Sequence, residues 1–253
     1  MKLVILAIYI FLFHTPSHAQ VLPEKMTVVR GAVEYPPMEF YRDGKLTGFH
    51  IELIQKVANN LGIEVTWLEV PWRRALYMVQ SGQADAISYI GKTNERAEWA
   101  IFDEGNIKSS VDYSFLITKE NESELTFEGD AEKLLDNRSL LIMAGFLTPP
   151  KIKELNITIH EAPEMINLVQ MLLAGRADVA LVNKLDYLTG IGSSAKVKSI
   201  LLLEPPVYST AVYIAFSKKK NLYYLSTRFS EEMTRLKTTK EYQKLVEEFL
   251  PYE

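Results

Sequence analysis

A six-residue pattern occurs twice in this chain, 93 positions apart. Ser81-Gly82-Gln83-Ala84-Asp85-Ala86 is matched by Ala174-Gly175-Arg176-Ala177-Asp178-Val179. In each copy a helical pattern ends on glycine, a polar-Ala pair crosses over, and an aspartate opens an apolar run. Glycine and aspartate suit any helix-to-strand turn, so a single match constrains little. Two matches at equivalent points of two α/β units constrain the fold to two similar lobes.

The flanking periodicity agrees. Met26 to Val33 is a β-rich run that ends at Tyr35-Pro36-Pro37, and Asp43-Gly44 marks a further turn. Phe49, Leu53, Ile54, Val57, Ala58 and Leu61 then recur at helical spacing, with Gly62 as the C-terminal cap. Ile63 to Trp67 alternates as a strand, Pro71 opens a second helix, and Ala84 to Ile90 is the next strand. The second half repeats the scheme. Leu140 to Met143 is a strand, Thr148-Pro149-Pro150 a helix start, Ile157 to Ile159 a strand, Met165 to Ala174 a helix, and Asp178 to Val182 a strand. Strands alternating with helices predict parallel sheets covered by helices. A strand at Ala211–Phe216 and helices at about 222–236 and 239–250 follow, and these tail helices are expected to pack back on a lobe already formed. Two such lobes leave a cleft between them, and ligands of parallel sheets bind outside the carboxyl ends of the strands.

The N-terminus reads as a processing signal. Met1-Lys2 is a short basic start, Leu3 to Phe13 is unbroken apolar sequence, and Ser17-His18-Ala19 places small residues at a cleavage site. Eleven residues at 1.5 Å rise span only about 16 Å, against about 30 Å of hydrocarbon, so a spanning anchor is disfavoured. Cleavage after Ala19 removes Lys2 and takes the formal net charge from −4 to −5. That acidity, without a clustered basic face, argues against nucleic acid as a partner. The absence of cysteine removes thiol catalysis, cysteine-bound metals, disulfides and a lipid-carrying cysteine. Joined to the leader, it points to a freely diffusing periplasmic protein of a Gram-negative cell. His14 and His18 leave with the leader. Neither His50 nor His160 has a Gly-x-Ser-x-Gly elbow or a second histidine at i+4 beside it, so both are expected as surface or half-buried side chains.

Three strand-end loops of the first half carry the candidate site. The first offers Glu34, Tyr35, Met38 and Phe40; the second Trp72, Arg73 and Arg74; the third Thr93 and Arg96. Aromatic faces with guanidinium forks suit a small ligand that has a planar or apolar part and a carboxylate, which arginine binds bidentately. Each residue also has a structural alternative. Thr93 is equally well placed to cap a short helix Asn94–Trp99, Trp72 to sit in the core, and Thr148 before Pro149 to form an N-cap and N1 pair. The same helix start is an anion site for the other side of a carboxylate.

Tyr35-Pro36-Pro37-Met38-Glu39-Phe40, Asp43-Gly44-Lys45-Leu46-Thr47-Gly48-Phe49, Ser81 to Ala86 and Thr93-Asn94-Glu95-Arg96 resemble bacterial solute-binding protein family 3. These are the extracytoplasmic receptors of polar amino-acid ABC transporters. The resemblance runs from about Met26 to about Leu250. It implies a type II periplasmic-binding-protein-like fold of the α/β class, each lobe a mostly parallel sheet flanked by helices, joined by two hinge strands near Ile107–Val111 and Val207–Ala211. Lobe 1 would comprise residues 20–109 and 212–253, lobe 2 residues 110–211, after a signal peptide at 1–19. By position, Arg96 would clamp a ligand carboxylate with help from Thr93, Tyr35 would stack on the ligand, and Thr148 would add a donor from the second lobe.

The chain departs from the family at Met38, usually phenylalanine, at His50, usually aspartate, and at Asn183. Asn183 occupies the place of the aspartate that usually holds the ligand ammonium. Asparagine accepts a hydrogen bond but adds no charge, so a contact of roughly 1.5–3 kcal/mol falls toward about 1. Either another acid substitutes, with Glu34 the nearest candidate, or the ligand is not a free α-amino acid. The resemblance implies a monomer that needs no cofactor and is not an enzyme, closes on an amino acid or relative, and serves an inner-membrane ABC permease or a membrane sensor. Dehydratase-like enzymes on the same fold are the competing class, and they require an acid of raised pKa in the cleft.

Overall fold

A computed structural model of the protein describes residues 21–190 and 198–250. The leader read at residues 1–19 lies outside them. The first half of the chain forms β1 (Lys25–Gly31), the hairpin β2 (Phe40–Arg42) and β3 (Lys45–Thr47), α1 (Phe49–Asn60), β4 (Glu64–Val70), α2 (Trp72–Gln80), β5 (Ala86–Gly91), α3 (Asn94–Trp99) and β6 (Ala100–Ile101). The second half forms β7 (Ile107–Thr118), α4 (Ala131–Leu135), β8 (Leu140–Met143), α5 (Pro150–Lys153), β9 (Ile159–Ala162), α6 (Met165–Leu173), β10 (Val179–Asn183), α7 (Lys184–Gly190) and β11 (Ile200–Leu202). The chain then returns through β12 (Tyr208–Ser217) to α8 (Tyr223–Lys237) and α9 (Lys240–Phe249).

The main sheet follows one hydrogen-bonded path, β4-β1-β5-β12-β7-β10-β8-β9, with β6 pairing β12 and β11 pairing β7 beside it and β2-β3 a separate hairpin. Its two ends are parallel triplets. β4-β1-β5 belongs to the first lobe and β10-β8-β9 to the second. In both, the first strand in sequence lies in the middle, so the repeat seen in the sequence is a repeat of topology. Between the triplets, β12 and β7 run antiparallel, from Tyr208 opposite Tyr113 to Tyr213 opposite Ile107. These are the only long strands shared by the halves among the described residues, and the lobe edges expected at 109–110 and 211–212 fall inside them.

The repeated aspartates have one structural task. Asp85 Oδ2 accepts from the Thr27 backbone N–H at 2.7 Å, and Asp178 Oδ2 accepts from the Ser139 backbone N–H at 2.7 Å. Each therefore holds the start of its lobe's central strand. Gly82 and Gly175 precede them at φ 77° and 66°, the left-handed conformation that glycine adopts without steric penalty. The tail helices pack on α1 of the first lobe, with Lys56 paired to Glu241 and Asn60 donating to Glu232.

One turn fixes the loop after β1. Phe49 and His50 at the start of α1 donate backbone N–H bonds to Pro37 O and Met38 O at 2.9 and 3.0 Å. Gly48, the N-cap, has φ 119°, and a Cβ there would stand 2.3 Å from Met38 O. Gly48→Ala is expected to destabilise the protein by at least about 1–3 kcal/mol from backbone strain alone, with the clash adding to it. Urea unfolding at neutral pH measures this.

Candidate functional site

The loops at the carboxyl ends of β1, β4, β5, β8 and β10 converge where the lobes meet. Tyr35, Trp72, Tyr89 and Arg96 from the first lobe, Phe146, Leu147 and Asn183 from the second, and Val111, Tyr113 and Val212 from the two shared strands enclose an inner cavity of about 20 Å³. That is room for about one water. Arg96, Phe146 and Leu147 also line an outer chamber of about 500 Å³ that extends to Arg73, Thr93, Thr148 and Glu161. A wider groove of about 920 Å³ around Asp130, Arg138 and Asp178 lies on the second lobe away from this cleft, and its Asp178 is engaged with Ser139.

The lobes touch directly across the cleft. Arg96 donates to Gly91 O in its own lobe at 2.8 Å and to Gly145 O in the other at 2.9 Å. Trp72 Nε1 donates to the same Gly145 O at 3.0 Å, and Asn183 Nδ2 donates to Tyr89 Oη at 3.1 Å. Arg73 pairs with Glu161 at 2.5 Å, but both are largely exposed, and such a pair contributes little. Glycine at 91 permits the approach, since a Cβ there would stand 3.0 Å from Leu147 Cδ1. Arg96 is 7% exposed and has no carboxylate partner among the described residues. Burial lowers its pKa, only partly opposed by Tyr113 and Glu95.

Three tyrosines form the floor. Tyr35 stacks on Tyr89 with centroids 5.4 Å apart and planes 26° from parallel, and Tyr113 rises from β7. Burial first, and the Asp186 carboxylate second, raise the pKa of all three phenols. Asp186 lies in the first turn of α7. It is buried, neither carboxyl oxygen has a hydrogen-bond partner among the described residues, and burial followed by the Glu39 charge raises its pKa.

Beneath Tyr89 is a buried charge cluster. Glu39 Oε2 accepts from Arg30 Nε at 3.3 Å and from Ser88 Oγ at 3.1 Å, while its Oε1 faces Lys108 Nζ at 3.6 Å and His50 Nδ1 at 3.7 Å. Burial pushes Glu39 up, but His50, Lys108 and Arg30 outweigh it and hold the carboxyl at about 2. Burial and Lys108 lower His50 to about 4, so at neutral pH it is uncharged, and its Nε2 meets Ser109 Oγ at 2.8 Å. Burial lowers Lys108 to about 8 against the opposing pull of Glu39. Lys108 Nζ lies 5.6 Å from the Tyr89 ring centroid, which couples this cluster to the cavity floor.

Of the residues named from sequence, Tyr35, Trp72, Arg96 and Asn183 line the inner cavity, and Arg73, Thr93 and Thr148 line only the outer chamber. Thr93 caps α3, accepting from Arg96 N at 3.1 Å, so its structural role and its place on the wall coexist. Three expectations change. Glu34 is exposed and accepts from Tyr41 N at 3.2 Å, outside both chambers. Thr148 is not the N-cap: Pro149 takes that position and α5 lasts four residues. Pro150 removes the N2 N–H that a threonine cap at 148 could bind, which leaves only Lys151 N–H at N3. His50 is fully buried rather than half-buried. Tyr89, Tyr113 and Phe146 are additional.

Two parallel α/β lobes joined by two strands, with loops of both converging on one cavity, define a two-lobed solute-binding architecture. The family profile of bacterial extracellular solute-binding proteins, family 3, matches residues 28–252, and the chain belongs to that family. It is 28% identical over 166 residues to a probable histidine-binding protein of Campylobacter jejuni, covering 65% of this chain and 59% of that one. It is 23% identical over 175 residues to the L-cystine-binding protein TcyA of Bacillus subtilis, covering 69% and 62%. The chain thus aligns with about three fifths of the length of these relatives. Among solved structures, a histidine kinase sensor domain with similarity to periplasmic binding proteins superposes with TM-score 0.73 at 20% identity, over 89% of this chain and 96% of that one.

Proposed function

We propose that the protein captures a small carboxylate-bearing solute, an amino acid or a close relative, between its lobes and delivers it to an ABC transporter of the inner membrane. The carrying observation is Arg96, a buried guanidinium at the meeting point of the lobes whose only hydrogen-bond acceptors among the described residues are two backbone carbonyls. A ligand carboxylate satisfies the fork better than a carbonyl does. Phe146 and Leu147 bring the second lobe to the same point. The inner cavity is too small for an amino acid, so entry requires the lobes to part, with β7 and β12 as the hinge, and contacts from both sides favour closure over the ligand. The two curated relatives carry the names of a probable histidine-binding and an L-cystine-binding protein, which agrees with this class of solute. Cleavage of the leader after Ala19 and residence in the periplasm belong to the same reading, with lobes at 20–109 plus 212–253 and at 110–211.

A dehydratase-like activity needs a carboxylic acid held protonated in the cleft. Glu34 lies outside it and Glu39 is shifted downward to about 2, which leaves Asp186 as the acid to test. Calorimetric titration of the purified protein with the twenty amino acids and L-cystine is expected to give a micromolar binder, about 8 kcal/mol. Small-angle scattering should show a smaller radius of gyration on binding. No heat with any of them, or turnover of prephenate or arogenate, would replace this reading.

A further inference from the structure

We propose that the cavity selects carboxylate solutes whose α-carbon carries no ammonium group, binding an α-hydroxy or α-keto acid in preference to the amino acid with the same side chain. The proposal rests on the reading of a carboxylate captured at Arg96 and narrows the class of solute.

Donors outnumber acceptors around the inner cavity. Its polar side chains among the described residues are Tyr35, Trp72, Tyr89, Arg96, Tyr113 and Asn183, and none is an acid. Arg96 and Trp72 can only donate, and Gly145 O, the carbonyl they share, already accepts from both. Asn183 commits its acceptor elsewhere. Its Oδ1 takes the backbone N–H groups of Leu185 and Asp186 at 3.0 and 3.4 Å, which leaves Nδ2 to donate to Tyr89 Oη at 3.1 Å. That contact orients Tyr89 in turn. With its oxygen accepting from Asn183, the phenol keeps a proton for an acceptor in the cavity.

The aromatic faces are occupied as well. Tyr35 stacks on Tyr89, Lys108 Nζ lies 5.6 Å from the Tyr89 ring centroid, and the Arg96 guanidinium carbon lies 5.9 Å from that of Trp72. An ammonium group would meet cations on the rings that could otherwise hold it. The neighbouring acids do not answer it either. Glu39 and Asp186 line neither chamber; Glu39 is engaged with Arg30 and Ser88, and burial favours the protonated, neutral form of Asp186. Glu95 and Glu161 line the outer chamber at exposed positions, which suits a cation at the far end of a solute rather than one on the carbon next to its carboxylate.

A carboxylate with an α-oxygen meets the opposite situation. The carboxylate accepts from Arg96, and the α-hydroxyl or α-keto oxygen accepts from Tyr89 Oη or from the second N–H of Asn183 Nδ2. An α-ammonium group, which can only donate, would be desolvated beside a guanidinium, with the phenol oxygens of Tyr35 and Tyr113 as its acceptors.

Calorimetric titration of the purified protein with the α-hydroxy and α-keto counterparts of the amino acids tests this: lactate and pyruvate beside alanine, phenyllactate and phenylpyruvate beside phenylalanine, 2-hydroxyglutarate and 2-oxoglutarate beside glutamate. In the set that binds best, the hydroxy or keto acid is expected to bind at least tenfold tighter than the amino acid. Asn183→Asp places a negative charge at the same point with a side chain that caps a helix equally well, and it should reverse that order. An amino acid that binds wild type as tightly as its hydroxy and keto counterparts, or a folded Asn183→Asp that keeps the wild-type order, overturns the proposal alone. Heat from hydroxy or keto acids with none from amino acids supports it and moves the functional reading from amino acids to these relatives. Heat from none of the three series overturns it together with that reading.

Discussion

Arg96→Ala is expected to weaken ligand binding by at least about a hundredfold, with little change in the stability of the ligand-free protein. Two charge-assisted hydrogen bonds to a carboxylate contribute roughly 1.5–3 kcal/mol each, and each 1.4 kcal/mol is about tenfold in affinity. The ligand-free state loses less. In the open, ligand-free state proposed above, the cross-cleft bond to Gly145 O is not made, so the variant gives up only the bond to Gly91 O, offset by the desolvation that lowers the Arg96 pKa. Arg96→Lys retains charge without the planar fork and should fall between. Titration of both variants, with melting curves beside them, separates binding from folding. Full affinity in Arg96→Ala would remove Arg96 from the site.

The repeat and the two periodicities made the fold legible. The helix over Phe49 to Asn60 and the short helix Asn94–Trp99 follow from apolar spacing and caps that act within one or two turns, and both are where that spacing puts them. The cavity was legible as far as strand-end loops reveal it, which brought in Tyr35, Trp72 and Arg96. Residues whose role depends on what the other lobe contributes were not. Tyr89 reads as one more apolar position of a strand buried along its whole length. Glu34 misled because neighbouring residues of an extended loop face opposite ways: Tyr35 is buried and Glu34 is exposed. The charge cluster was also hidden, since Arg30, Glu39, Ser88 and Lys108 come from four separate segments.

That cluster carries the largest expected effect on stability. Glu39→Gln should destabilise the protein by about 3–5 kcal/mol at neutral pH, the usual cost of breaking a buried ion pair by removing one partner. Arg30 retains Glu69 as a second partner, whereas Lys108 has no other carboxylate among the described residues, so the penalty concentrates on Lys108. Glu39 has a folded pKa depressed from 4.5 to about 2. Its contribution is therefore present in full above about 4.5 and is lost as the pH falls toward 2. The gap between wild type and Glu39→Gln in urea unfolding should accordingly be widest near neutrality and narrow through that window. Replacing Lys108 with methionine in the Glu39→Gln background should recover part of the loss, because the buried ammonium that the variant strands is then absent, and the two changes should be less than additive. Strict additivity would mean that Lys108 and Glu39 do not depend on each other. Tyr89, which lies between Lys108 and the cavity, links this cluster to binding, so Glu39→Gln should weaken the ligand as well, even under conditions where the variant is fully folded.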